Sequence, residues 1–155
     1  MARLFISHSS RDNVYALAFQ SWLAANGWDR DDVFIDLHDI GAGERWRETL
    51  RKANAACEAV ILLASPESLS SIECQKEIEL AEALGKEIIT AVIRDLGPDD
   101  PRLARFTERQ FVDLSAFPRD HVEALSWQGQ EHRVGFNPTA LAKIKARLSA
   151  LGISP

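Results

Sequence analysis

The chain has 155 residues, of which 46% are hydrophobic and 26% charged, with a formal net charge of −5. That length supports one hydrophobic core and a single domain over 1–155, and the composition excludes a disordered or low-complexity chain. The mild acidity and the lack of any Lys/Arg block argue against a nucleic-acid surface.

Short apolar runs alternate with longer segments of helical period, the pattern of βα units around a parallel sheet. Leu4-Phe5-Ile6 is the first strand. The polar loop Ser7-His8-Ser9-Ser10-Arg11-Asp12 can cap a helix through a serine hydroxyl, and His8 reads as a solvated loop residue. Val14, Leu17, Ala18 and Trp22 then recur at helical spacing up to a stop at Gly27. Val33-Phe34-Ile35 predicts a second strand, and residues 36–43 a loop whose Gly41 and Gly43 permit unusual backbone shapes. A helix from about 44 to 57 follows.

Ala59-Val60-Ile61-Leu62-Leu63-Ala64 is a continuous apolar run, as expected of a strand buried on both faces in the middle of a parallel sheet. Residues 65–71 are turn-rich, and Ser70 with Glu73 predicts a capping box opening a helix that runs to about 84, where Gly85 stops it. Residues 87–93 and 110–114 predict a fourth and a fifth strand, separated by a Gly/Pro/Asp loop over 95–100. The expected fold class is therefore α/β, with three layers and a five-stranded parallel sheet carrying helices on both faces.

Residues 115–135 show no clear period and read as irregular, with a hairpin as an option. Asn137-Pro138 reads as N-cap and first helical residue, and Leu141, Ile144, Leu148 and Leu151 form the apolar stripe of a closing helix. The domain is thus a core over about 3–114 with an extension and closing helix over 115–151.

Several of these segments resemble, in the same order, the motifs of Toll/interleukin-receptor (TIR) domains. Phe5-Ile6-Ser7-His8-Ser9-Ser10-Arg11-Asp12 is similar to their first strand and following loop. Phe34-Ile35-Asp36 with Gly43-Glu44-Arg45-Trp46 resembles the second strand and its mobile loop. Residues 57–66, ending Leu-Leu-Ala-Ser-Pro, resemble the third strand. Ser71-Ile72-Glu73-Cys74-Gln75-Lys76-Glu77 is similar to the family's Ser-x-Trp-Cys-x-x-Glu motif, with Glu73 in place of the tryptophan. The resemblance covers about residues 3–114 and is closest to bacterial TIR domains found at the front of longer chains. It implies a flavodoxin-like fold, homotypic assembly with other TIR domains, a role in signalling or defence, and a sensor or scaffold region following in the full-length protein.

The family includes pure assembly modules as well as enzymes that cleave the nicotinamide–ribose bond of NAD. In the enzymes the motif's glutamate carries the reaction, and the resemblance puts that role on Glu77. Its helical position fits: Cys74, Glu77, Ile78 and Ala81 share one face, so Glu77 borders a buried stripe where a free charge is costly. Cleavage builds positive charge on the ribose, which a fixed carboxylate stabilises, and nicotinamide leaves as a neutral group, so one acid suffices. NAD is then a substrate, with no cofactor or metal required.

Trp46 could stack on a base or nicotinamide ring, yet its spacing to Leu50 and Ala53 equally makes it core. Ser9, Ser10 and Arg11 could contact phosphates, or cap the first helix instead. Asp36 could hold the loop or a ribose, and Cys74 reads as a substrate-side packing residue rather than a nucleophile. Glu73 reads as a cap.

Other enzymes of parallel α/β build are set aside because no G-x-G-x-x-G follows a strand and neither a P-loop nor a G-x-S-x-G elbow occurs. A phosphorylated receiver domain would end its first strand in acidic residues, where this chain has Ser-His-Ser-Ser. Two cysteines without C-x-x-C spacing, no signal-like segment and no apolar run near the roughly 20 residues of a membrane span lead to the expectation of a cytoplasmic protein without a membrane partner. Two functions stay open: an NAD-cleaving or NAD-cyclising enzyme switched on by self-association, and a non-catalytic module acting through TIR-to-TIR contacts.

Overall fold

Side chains alternate in direction along a strand, and that alternation sorts the apolar runs of this chain into two cores. The computed structural model describes residues 2–37, 44–106 and 110–155. Strand β1 (Leu4–Ser7) sends Leu4 and Ile6 into one core and Phe5 into the other. Strand β3 (Ala59–Ala64) divides likewise, with Ala59, Ile61 and Leu63 on the first side and Val60 and Leu62 on the second. Both strands are buried along their whole length, which is why they read as unbroken apolar runs.

With β2 (Val33–Ile35), β4 (Glu87–Val92) and β5 (Gln110–Asp113) they form a five-stranded parallel sheet in the order β2-β1-β3-β4-β5. The register sets Phe5 beside Phe34, and Ser7, Leu62, Thr90 and Phe111 in one row across the sheet. Helices α1 (Asn13–Ala25) and α5 (Pro138–Ala150) cover the first face, burying Phe19, Trp22, Leu141 and Ile144. Helices α2 (Glu44–Ala56) and α4 (Ile72–Ala83) cover the second, where Ile78 and Ala81 meet Phe5, Val60 and Leu62. This is the three-layer parallel fold expected. No helix among the described residues is long and apolar enough to cross a membrane.

Two local expectations are corrected and a third is narrowed. The stretch after β3 is not merely turn: it holds a short helix α3 (Pro66–Ser70), closed by a reciprocal box between Ser65 and Ser68. Helix α4 is then capped by Ser71, whose hydroxyl accepts from the Cys74 N–H at 3.2 Å, so Glu73 is an exposed first-turn acid and not the partner of Ser70. Residues 115–135 are irregular only over 115–120, and the hairpin given as an option takes up the rest. They contain an antiparallel hairpin, β6 (His121–Trp127) and β7 (Gln130–Phe136), joined at Gln128-Gly129 with φ of 51° and 78°, the left-handed pair of a tight two-residue turn. The hairpin packs against α1, where Ser21 donates to Glu123 at 2.6 Å.

At the amino edge of the sheet Arg3 gathers several segments. Its guanidinium pairs with Glu58 at 2.5 Å, donates to the Ser154 carbonyl at 2.6 Å and lies over the Trp28 ring at 5.2 Å. Ile153 beside it is buried.

Candidate functional site

In sheets of this strand order the usual ligand crevice opens at the carboxyl ends of β1 and β3, where the connections diverge. Here that point is filled by the chain itself. Asp12, fully buried, accepts from Ser65 Oγ at 2.5 Å and from Arg94 Nε at 2.7 Å, and Arg94 also binds Glu67 and reaches Asp95 at 3.1 Å. Burial opposes the Arg94 charge, but the carboxylates around it outweigh that cost and hold its pKa above the ordinary value. The loops after β1, β3 and β4 are thereby tied to one another.

A second group of polar side chains lies one strand over, at the ends of β1 and β2 and on helix α4. Ser7, whose parity matches Phe5, faces α4. Among the described residues its fully buried Oγ closes no hydrogen bond of regular geometry, yet it lies close enough to act on both the Glu77 carboxyl and the Cys74 thiol. Glu77 is partly buried, and its helix is fastened to α2 by Asn54, which donates to the Glu77 carbonyl at 2.9 Å. Burial pushes the Glu77 carboxyl up to about 7; the Ser7 hydroxyl pulls it back, and the charges of Asp36 and Glu73 add to the rise. Cys74 is buried, and desolvation with the nearby Glu77 charge raises its thiol to about 12, leaving it protonated and unreactive.

Asp36, Cys74 and Glu77 are thus brought to one place, and Ser7 joins them. Trp46 stands at its side: its ring packs on Phe34 at 6.2 Å between centroids, and Phe34 stacks on Phe5 at 5.2 Å. Ser9 is spent on a cap, accepting from the Arg11 N–H at 3.2 Å, while Arg11 itself is exposed and acts on Glu67. Ser10 is half-buried in the same 3-10 turn. The loop expected to move, over 36–43, lies outside the described residues from 38 onward.

His8 corrects another expectation, since it is buried and not solvated. Its Nε2 meets Asn13 Oδ1 at 2.8 Å, Asn13 reaches the Leu37 carbonyl at 3.4 Å, and burial lowers the imidazole pKa, so the ring is neutral. Ser7, Asp12, Ser65 and Arg94 carried no assigned role in the sequence. Only Ser7 had a usable signal there, because it sits two residues after Phe5 and therefore on the same face. Among the described residues no group of three or more His, Cys, Asp or Glu side chains is arranged to hold a metal ion.

A five-stranded parallel sheet of flavodoxin-like order, with its polar side chains gathered at the carboxyl edge, defines the class of this molecule. The family model described as TIR domain matches residues 4–126, and the chain belongs to that family. The crystal structure of the TIR domain of the Toll-related Receptor TRR-2 from Hydra magnipapillata is similar, with a TM-score of 0.56 and 17% identity over 72% of this chain and 84% of that one. At that identity the likeness is one of fold. A search of curated protein sequences returns no match. Membership makes the chain a signalling-type module and suggests homotypic contact with other TIR domains.

Proposed function

We propose that this domain cleaves the nicotinamide–ribose bond of NAD when self-association activates it, with Glu77 as the carboxylate that carries the reaction. The observation behind this reading is the Glu77 carboxyl itself: an acid held partly buried at the carboxyl edge of the sheet, between Ser7 and Asp36, at a cost that a surface glutamate does not bear. The bond from ribose C1′ to the pyridinium nitrogen breaks with its electron pair leaving on neutral nicotinamide. Positive charge grows on the ribose, and the ionised Glu77 stabilises it before water or another nucleophile takes C1′. Asp36 would add a ribose contact, the Phe5–Phe34–Trp46 aromatic stack a wall for a ring, and the Ser9-Ser10-Arg11 turn a phosphate contact. Self-association in a bacterial-type, cytoplasmic signalling or antiphage defence chain would switch this activity on.

The second reading, an assembly module without chemistry, is favoured by one observation: α4 opens with Ile72 at 66% exposure beside Glu73, a solvent-facing start suited to protein contact. Nicotinamide release from NAD separates the two. The purified domain is assayed at high concentration, with and without forced clustering, beside Glu77→Ala. Release that disappears in the variant supports the enzyme. No release from folded, clustered protein leaves the assembly module.

A further inference from the structure

We infer that β7 is a self-association surface: two copies of this chain pair antiparallel along its free edge, in the register that sets Glu131 of each copy opposite Arg133 of the other. This rests on the self-association in the proposed function and names a surface for it. The strand lies beyond residue 126, where the family match ends, so the surface belongs to this chain's own extension.

Among the described residues β7 pairs only with β6, and no element other than β6 and α1 runs alongside it; α1 lies chiefly under β6. The Gln128-Gly129 turn makes Trp127 and Gln130 the closing hydrogen-bonded pair, so Gln130, His132, Val134 and Phe136 turn their N–H and C=O groups toward β6. Glu131 and Arg133 turn theirs away. The contact from Ser126 Oγ to Glu131 agrees, because a non-hydrogen-bonded pair brings its side chains closest. Both residues are exposed, and among the described residues no backbone hydrogen bond from outside the hairpin reaches either. Such an edge is a template for another strand.

The charges on this edge choose a second copy as that strand and fix its register. A twofold antiparallel pair must join outward-turned residues to one another, which allows few alignments. Centred on Glu131 it sets two carboxylates face to face, and centred on Arg133 two guanidinium groups, both unfavourable. Centred on His132 it sets Glu131 against Arg133 twice. Ser126 occupies one oxygen of the Glu131 carboxylate, and Arg133 has no acidic partner among the described residues, so both charges can serve the pair. The corresponding residues of β6, Val122, Ala124 and Ser126, carry no charge that could select an alignment.

Sedimentation equilibrium of the whole chain at up to about 1 mM reads the dimer. Arg133→Glu and Glu131→Arg each turn two attractions into two repulsions and weaken it at least about tenfold, and the double variant carrying both exchanges restores it. His132 falls on the twofold axis as a non-hydrogen-bonded pair with Cα atoms about 4.5 Å apart, so His132→Cys links two chains on mild oxidation. Gln130→Cys, about 13 Å from its copy in this register, does not. Cys57 and Cys74 are buried and do not compete. A parent that stays monomeric, a double variant as weak as the single ones, or Gln130→Cys linking as readily as His132→Cys overturns the inference. None of these measurements involves NAD. Pairing without nicotinamide release leaves this surface standing and sinks the enzyme reading, whereas clustering-dependent release from a chain that fails these tests does the reverse.

Discussion

Replacing Glu77 by glutamine should make this protein more stable, and most of all at neutral to alkaline pH. The folded carboxyl titrates at about 7 against an ordinary value of 4.5. Because the folded value is the higher one, the group's favourable contribution is complete below pH 4.5 and disappears as pH rises through 7. At pH 8 it is charged in both states, and the folded chain bears the cost of holding that charge away from water and near Asp36 and Glu73. A gap of about 2.5 units at 1.36 kcal/mol per unit gives a cost of about 3 kcal/mol, to be recovered by Glu77→Gln. At pH 5 the recovery falls to about 1 kcal/mol or less. For a chain of this size the gain at pH 8 corresponds to roughly 6–12 °C in melting temperature. Urea unfolding of parent and variant at pH 5 and pH 8 reads it directly, and the difference between the two proteins cancels the titrating groups that do not act on Glu77. A variant no more stable than the parent at pH 8, or equally stabilised at both pH values, refutes the claim that Glu77 is held under electrostatic strain.

Arg94→Met leaves the fully buried Asp12 carboxylate without its cation, and urea unfolding should show a loss of about 3–5 kcal/mol, much of it restored when Asp12→Asn is added. His8→Gln removes a ring kept neutral by burial; the parent should lose stability as pH falls below the histidine range while the variant loses less, as thermal melts between pH 7.5 and pH 5 would show.

The sheet was readable because parallel strands buried on both faces leave unbroken apolar runs, as in Ala59–Ala64, between helices of clear period. The cap of α4 was misplaced by one residue because Ser65, Ser68, Ser70 and Ser71 offer several hydroxyls within a single stretch, and only packing decides which one caps. The hairpin was legible only as an option because its polarity is inverted: His121 and Glu123 face inward, satisfied by each other and by Ser21, while Val122 and Ala124 face out. The burial of Asp12 could not be read locally, since its partners lie 53 and 82 residues further along the chain. Glu77 was reachable through its motif and its helical face. The hydroxyl beside it required the register of β1 against the rest of the sheet.

The knot made by Arg3 bears on how this domain is carried. Residues 3, 58 and 154 meet at the amino edge, whereas Ser7, Asp36 and Glu77 gather at the carboxyl edge. The two ends of the folded unit therefore share one pole and the acid occupies the other. A tether or neighbouring body attached through either end pulls on a guanidinium clamp that is backed by Trp28 and by the buried Ile153, with the length of the strands between that load and the acid. A pull or a crowding neighbour on that side therefore bears on the clamp before it bears on the residues at the carboxyl edge.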